Sequence, residues 1–326
     1  MKKTAALKET SKVKVMIIIR AAVFTMVVTG YGFIGNAHAI SPENHRPVTR
    51  VAISAYKACT EQLAVKDTLS EGIEAIVEFS KLEDESPLIK RYFNWHFYDA
   101  YNDTEYAMGE SATGARKSLH HIYDEHAEQL IEALEKNRKE DIYEYTGRLL
   151  HLIQDMAVPA HVAPIYHYKF LWFDQSDYFD EMPEWNTSPY TKPEELCRFD
   201  VAGISDMKEK LNVILDDAAL GTRNRIREKI LVDDGHRLTG KTWQEFWVIR
   251  NPDDDSRYSG TRYGFAPYGN EGRQGFRKLC ETSGSDREVC LNFFKQSFDS
   301  AVTSTVRTLL LVNSIKLGNM KGDAGK

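Results

Sequence analysis

The sequence lacks the glycine-rich loop with which many nucleotide-dependent enzymes hold phosphates, and it contains no repeat of fixed period. The alternation of apolar and polar residues that is typical of half-buried strands is also scarce. No linker divides the chain, and its apolar residues recur mainly at helical spacing. These features exclude a phosphate-loop enzyme and a repeat protein. They predict an all-α fold, with a single multi-helix domain that is long enough to bury a large core.

The periodic segments predict several amphipathic helices. Their approximate bounds are residues 48–59, 67–81, 111–137, 141–150, 193–220 and 286–315. Residues 176–181 are predicted to begin a further helix. Residues 251–270 are rich in Asp, Gly and Tyr, and they are predicted to form a surface loop.

Cysteine is rare, with four residues in the chain, and the spacing of these residues does not match a zinc ribbon. An even number of cysteines in an exported chain indicates two disulfides. Three pairings are possible. We favour Cys280–Cys290, which closes a short loop, together with Cys59–Cys197.

Export is predicted from residues 1–39, where five lysines precede an apolar run and the segment ends in Ala37-His-Ala39, a signal-peptidase motif. An uncleaved anchor is the alternative, but Arg20 leaves only about 14 apolar-rich residues where a membrane span needs about 20. The remaining domain, residues 40–326, has 36 basic and 47 acidic side chains and thus a net charge of −11. Such an acidic protein, secreted or periplasmic, is unsuited to nonspecific binding of nucleic acid or anionic lipid.

The stretch from His151 to His161 contains two imidazoles and a carboxylate within a short distance. On a helix, His151 and Asp155 share one face, so both can bind one metal ion. Ten helical residues would carry His161 about 15 Å away, too far for the same ion. Pro159 is expected to end or kink the helix and to fold His161 back over the site. We predict two or more neighbouring metal ions that Asp155 can bridge; an exposed His–Asp pair without metal is the alternative.

Upstream segments supply further candidate ligands. His45 lies five residues after Ile40, the predicted first residue of the exported chain, and a free α-amino group can chelate a metal jointly with such a histidine. His96 lies among aromatic residues, either as a core histidine or as a ligand in a dry pocket. Asp84 belongs to an acidic run that precedes a proline. Such a run is usually a solvated loop, and this is the alternative to a metal-binding role for Asp84.

Together these residues resemble the zinc-dependent phospholipase C family of bacteria, which shares its fold with the fungal single-strand-specific nucleases. The matching segments are His151-x3-Asp155-x5-His161 with Pro159, residues 94–99 around His96, Glu83-Asp84, and His45 before Val48. The resemblance covers residues 40–182, and beyond them little is similar.

The resemblance implies a cleft that holds two to three zinc ions. One ion would be held by Asp84, His96, His151 and Asp155. Another would be held by the amino group and carbonyl of Ile40, by His45 and by Asp155. His161 would hold a third ion with a His-x3-acid pair, but here that pair is replaced by Ser176-x3-Asp180. His167 or Asp177 is the candidate to compensate beside Asp180, and a weaker, altered or empty third site is the alternative.

The resemblance further implies a secreted phospholipase C that hydrolyses phospholipids to diacylglycerol and a phosphorylated headgroup with a zinc-activated water, Asp84 acting as general base. Its substrate would lie at a membrane or micelle surface, and no protein partner is implied. Aromatic residues, Trp95, Trp185 and those within 166–173, would receive the lipid or else pack in the core. One alternative is a single-strand-specific zinc nuclease that stacks nucleic acid on these aromatics. The second is a non-catalytic exported zinc-binding protein.

Overall fold

The computed structural model describes residues 42–85, 96–98, 119–163, 165, 167, 169–170, 173–174, 176–190, 196–197, 204–249 and 268–323. The predicted signal peptide, Ile40, Trp95 and residues 251–267 lie outside these ranges, so the predictions made for them stay predictions. The chain divides into two compact units, and every helix named below belongs to the larger one, residues 38–167 and 176–326.

The described chain is mostly helical, which confirms the all-α prediction. Its α-helices are α1 (Pro42–Gln62), α2 (Ile73–Phe79), α3 (Leu82–Glu85), α4 (Leu119–Glu135), α5 (Lys139–Asp155), α6 (Pro159–Val162), α7 (Met207–Arg227), α8 (Gly272–Glu281) and α9 (Ser285–Asp323). Short 3-10 helices cover Ser70–Gly72, Pro183–Asn186 and Trp243–Glu245. Two antiparallel strands of two residues each, β1 (Lys169–Phe170) and β2 (Phe173–Asp174), belong to the smaller unit.

The long helix α9 packs against α1, α5, α7 and α8, while α5 also packs against α2 and α4. The amphipathic pattern of α5 begins with Glu140 and Asp141, acidic residues that suit the positive end of a helix dipole. The neighbouring helices enclose the C-terminal half of α5 and the segment that follows it, and every residue from 149 to 163 is buried. The His- and Asp-bearing stretch therefore lies in the protein interior, where a polar side chain needs a partner.

Pro159 occupies the first position of α6 rather than a kink inside α5. Helix α5 already ends at Asp155, and Val158 is extended, as is usual for a residue before proline. A proline at the first helical position loses no hydrogen bond there. The break turns the chain, so that His161 lies on a separate short helix, as the sequence indicated.

Some predicted helix bounds are wrong. Helix α7 begins at Met207 because the Oδ1 atom of Asp206 accepts a hydrogen bond from the Glu209 amide at 2.8 Å, which caps the helix. Residues 178–181 form turns instead of a helix. There Asp177 accepts the Phe179 amide at 2.9 Å, a local bond that competes with helix formation.

Both favoured disulfides are present. Cys59–Cys197 ties α1 to a segment 138 residues away, and Cys280–Cys290 joins α8 to α9. Two disulfides indicate an oxidising, exported environment. None of the helices in the described ranges combines the length with the apolar composition that a membrane span requires.

Candidate metal centre

A first group of ligand-type side chains surrounds Asp155 at the end of α5. His45 from α1, His151 from α5 and Asp155 are fully buried, and each offers a ligand atom within 4.8 Å of the others. The rings of His45 and His151 stack with their centroids 3.9 Å apart. His96 joins them, because its Nδ1 lies 2.9 Å from Asp155 Oδ2. The structure thus brings four predicted ligands together from three separate segments.

The two oxygens of Asp155 face different imidazoles. Oδ1 lies 3.5 Å from Nε2 of His45, whereas Oδ2 faces both His96 and His151 Nε2, the latter at 3.5 Å. These contacts thus join His45 to one oxygen, and His96 and His151 to the other. A carboxylate in this position can bridge two metal ions.

Hydrogen bonds orient the histidine rings of the first group. The Nδ1 atom of His151 lies 2.9 Å from the carbonyl oxygen of Ser80, and Nδ1 of His45 lies 2.8 Å from Oε1 of Gln154. A carbonyl oxygen can only accept, so each Nδ1 carries the proton. The Nε2 atom is then the nitrogen that can bind a metal ion, in the pattern common to metal-binding histidines.

The electrostatics of the first group keep His151 neutral. Burial, followed by the neighbouring imidazoles of His45 and His96, lowers the pKa of His151 well below its usual value. A neutral imidazole is the form that binds metal.

A second group consists of His161, His167 and Asp180, all buried, with ligand atoms within 4.8 Å of one another. His161 donates through Nδ1 to the carbonyl of His96 at 2.6 Å, and His167 donates through Nδ1 to the carbonyl of Ile165 at 2.8 Å. Both Nε2 atoms are therefore directed away from the backbone. Among the described residues, Nε2 of His161 and Oδ1 of Asp180 are buried without a hydrogen-bond partner. Such orphaned atoms in a dry interior suit a metal ion.

The second group contains a buried His–Asp pair that favours retention of a proton. His167 Nε2 lies 2.9 Å from Asp180 Oδ2. Burial lowers the pKa of His167, but the charge of Asp180 and the contact with it outweigh burial and raise the pKa to about 9. Burial raises the pKa of Asp180 to about 7, although the charge of His167 lowers it. A metal ion entering this group would displace the shared proton.

Residues 96–98 connect the two groups. The side chain of His96 faces Asp155, while its carbonyl orients His161, and the Tyr98 amide donates back to the His161 carbonyl at 3.1 Å. Phe97 packs against both His161 and His167, with ring centroids 5.4 and 5.5 Å away. One short segment thus holds rings of both groups in place.

The structure distinguishes the two residues proposed to complete the second group. His167 lies in it, whereas Asp177 does not. The Oδ2 atom of Asp177 accepts hydrogen bonds from Trp247 Nε1 at 2.8 Å and from the Tyr268 hydroxyl at 3.1 Å. Asp177 therefore anchors the turn that carries Asp180.

The two remaining predictions concern Trp185, as a residue that receives the lipid, and Asp84, as a metal ligand and general base. Trp185 is fully buried, donates to the Phe179 carbonyl at 2.8 Å and packs against Phe294, so it belongs to the core and cannot receive a lipid. Asp84 lies in α3, but its side chain is outside the described part of the structure. Its neighbour Glu83 is buried beside Arg148 and His126. Burial alone would raise the pKa of Glu83, but the contacts with His126 and Arg148 outweigh burial and lower the pKa to about 2.

Sequence reasoning missed the residues that orient the histidines, above all Gln154 and Ser80. Gln154 lies inside the His151–Asp155 motif, but its hydrogen-bond partners Thr49 and Thr305 are 105 and 151 positions away. No local spacing relates these positions. Gln154 is the one polar residue of the apolar stretch 149–163 besides the candidate ligands themselves, and this was the one available signal.

No protein-family model, curated protein or solved structure matches the chain.

Proposed function

We propose that this chain is an exported, zinc-dependent phosphodiester hydrolase of the phospholipase C type, which cleaves phospholipids to diacylglycerol and a phosphorylated headgroup. The observation that carries the proposal is the placement of Asp155, whose two oxygens face different imidazoles. A carboxylate shared by two ions, with a further His/Asp group held by the same short segment, suits the hydrolysis of a phosphodiester.

The donor atoms of both groups favour zinc. They are imidazole nitrogens and carboxylate oxygens, a combination that zinc accepts readily. Calcium and magnesium prefer sites made of oxygen alone. Zinc would also compensate the buried atoms of His161 and Asp180 that have no hydrogen-bond partner among the described residues.

Zinc held by these residues would activate water for attack on phosphorus and neutralise charge on the phosphate and the leaving alkoxide. The protein's own task is to hold the ligands rigidly. Asp155 directs one oxygen to His45 and the other to His96 and His151. The neutral rings of His151 and His161 are fixed by backbone carbonyls. The His96 side chain is 12% exposed, while those of His45 and His151 are inaccessible. The phosphodiester would therefore approach from the side of His96, and Asp84 is the proposed general base.

Charge supports a lipid substrate over a nucleic acid. The predicted exported domain has a net charge of −11, which repels a polyanion more than a zwitterionic phospholipid. Solvent access at His96 supports catalysis over a purely structural role, because structural zinc sites are closed by four protein ligands.

The test is to purify residues 40–326, measure zinc per molecule, and assay phosphatidylcholine vesicles and single-stranded DNA in parallel, with and without a chelator. We expect release of phosphocholine that the chelator abolishes. His151→Asn should lower the rate by about 100-fold, the upper end of the loss seen when an outer-shell partner of a metal ligand is removed, because here the ligand itself is lost. His121→Asn, on the exposed face of α4, is the matched control and should retain full activity.

Each alternative has its own outcome. Cleavage of DNA without phosphocholine release would replace the phospholipase with a single-strand nuclease. Bound zinc without turnover of either substrate would favour a non-catalytic zinc protein. Absence of bound zinc would refute the proposal.

A further inference from the structure

A buried chain of hydrogen bonds links the two fully buried histidines of the first group. It runs from His45 through Gln154, Thr49 and Ser80, and the carbonyl of Ser80 then accepts from His151. Its side chains are inaccessible to solvent and uncharged. Water therefore cannot substitute for a missing bond, and each donor in the chain matters.

The direction of every hydrogen bond in this chain follows from the acceptor at its end, the carbonyl oxygen of Val77. The carbonyl of Val77 can only accept, so the Ser80 hydroxyl, 2.8 Å away, donates to it. With its proton committed, Ser80 Oγ accepts from the Thr49 hydroxyl at 3.0 Å. Thr49 Oγ1 then accepts from the Gln154 amide nitrogen at 2.9 Å. The amide oxygen of Gln154 is thereby turned toward His45.

We propose that Gln154, oriented by Thr49 and Ser80, is a positioning residue that fixes the tautomer of His45 with the proton on Nδ1 and Nε2 as the metal-binding nitrogen. This inference rests on the proposed function to the extent that the first group binds zinc. Thr305 adds a second, longer contact of 3.3 Å to the same amide nitrogen. The network reaches Ser80, whose carbonyl performs the same task for His151, so one set of neutral groups presents both Nε2 atoms toward Asp155.

Zinc affinity tests the inference with matched substitutions. Gln154→Met keeps the length of the side chain but removes the acceptor for His45, so zinc bound at the first group should weaken about 10- to 100-fold. Gln154→Glu lacks the donor to Thr49, but either oxygen of its carboxylate can accept from His45, so it should recover most of that loss. The matched control is Gln129→Met on the exposed face of α4, which should leave zinc affinity unchanged.

A second pair of variants changes Thr49, which is one hydrogen bond farther than Gln154 from the metal ligand His45. Thr49→Val removes the hydroxyl at nearly constant volume and should also weaken zinc binding, whereas Thr49→Ser should not. Equal zinc affinity in wild type, Gln154→Met and Thr49→Val would overturn the inference. Equal loss in Gln154→Met and Gln154→Glu would do the same, because it would point to packing alone.

The ring nitrogens of His45 in the wild-type protein give a readout that needs no variant. Nitrogen NMR of histidine-labelled protein should show Nδ1 protonated without zinc and Nε2 coordinated with zinc. An unprotonated Nδ1 in the zinc-free protein, or coordination through Nδ1, would refute the assignment. If wild type binds no zinc, the proposed function fails, and the NMR signal still decides which nitrogen the network protonates.

Discussion

Replacing Asp155 with asparagine tests whether one carboxylate serves two ions. Asparagine retains the shape of the side chain but has one acceptor oxygen and no charge. Because Oδ1 faces His45 and Oδ2 faces His96 and His151, the single oxygen of an amide can replace one of these two contacts but not both. If the first group holds two ions and the second group one, zinc content should fall from about three to about one per molecule.

The associated stability change is large enough to measure. At free zinc about 100-fold above the dissociation constant, each ion stabilises the fold by about 2.7 kcal/mol, so losing two ions removes about 5 kcal/mol of zinc-dependent stability. Metal analysis gives the stoichiometry, and urea unfolding with and without zinc gives the free energy. Asp234→Asn, at an exposed position, is the control and should match wild type. Loss of a single ion in Asp155→Asn, or of none, would refute the bridging role.

Two further predictions concern the fold and the second group. In the chain-entropy description, replacing both cysteines of Cys59–Cys197 with serine should cost about 5 kcal/mol of unfolding free energy, against about 3 kcal/mol for Cys280–Cys290, because the loops close 138 and 10 residues. Urea denaturation measures both costs, and a larger loss for the shorter loop would contradict this reasoning. Because the His167–Asp180 pair holds a proton, with the pKa of His167 raised to about 9, zinc affinity at the second group should rise with pH up to about 9. Calorimetry in buffers of different ionisation enthalpy should detect about one proton released per ion near pH 8. In Asp180→Asn this release should vanish, because burial then lowers the pKa of His167 without an opposing carboxylate.

Local chain geometry was sufficient for part of the candidate site. Residues four apart on a helix share a face whatever surrounds the helix, and His151 Nε2 indeed lies 3.5 Å from Asp155 Oδ2. Proline imposes its restriction on its own neighbours, so the turn that separates His161 from α5 was also foreseeable. The helical class and the relation among these three side chains therefore follow from local properties of the chain.

Tertiary packing decided the rest, because its contacts join positions with no fixed spacing. The choice of His167 over Asp177 depends on Trp247 and Tyr268, which engage Asp177 from 70 and 91 residues away. The orientation of Gln154 depends on Thr49 and Thr305, from α1 and α9. Hydrogen bonds of this kind form only after the helices have packed and excluded water, so no pattern along the chain encodes them locally.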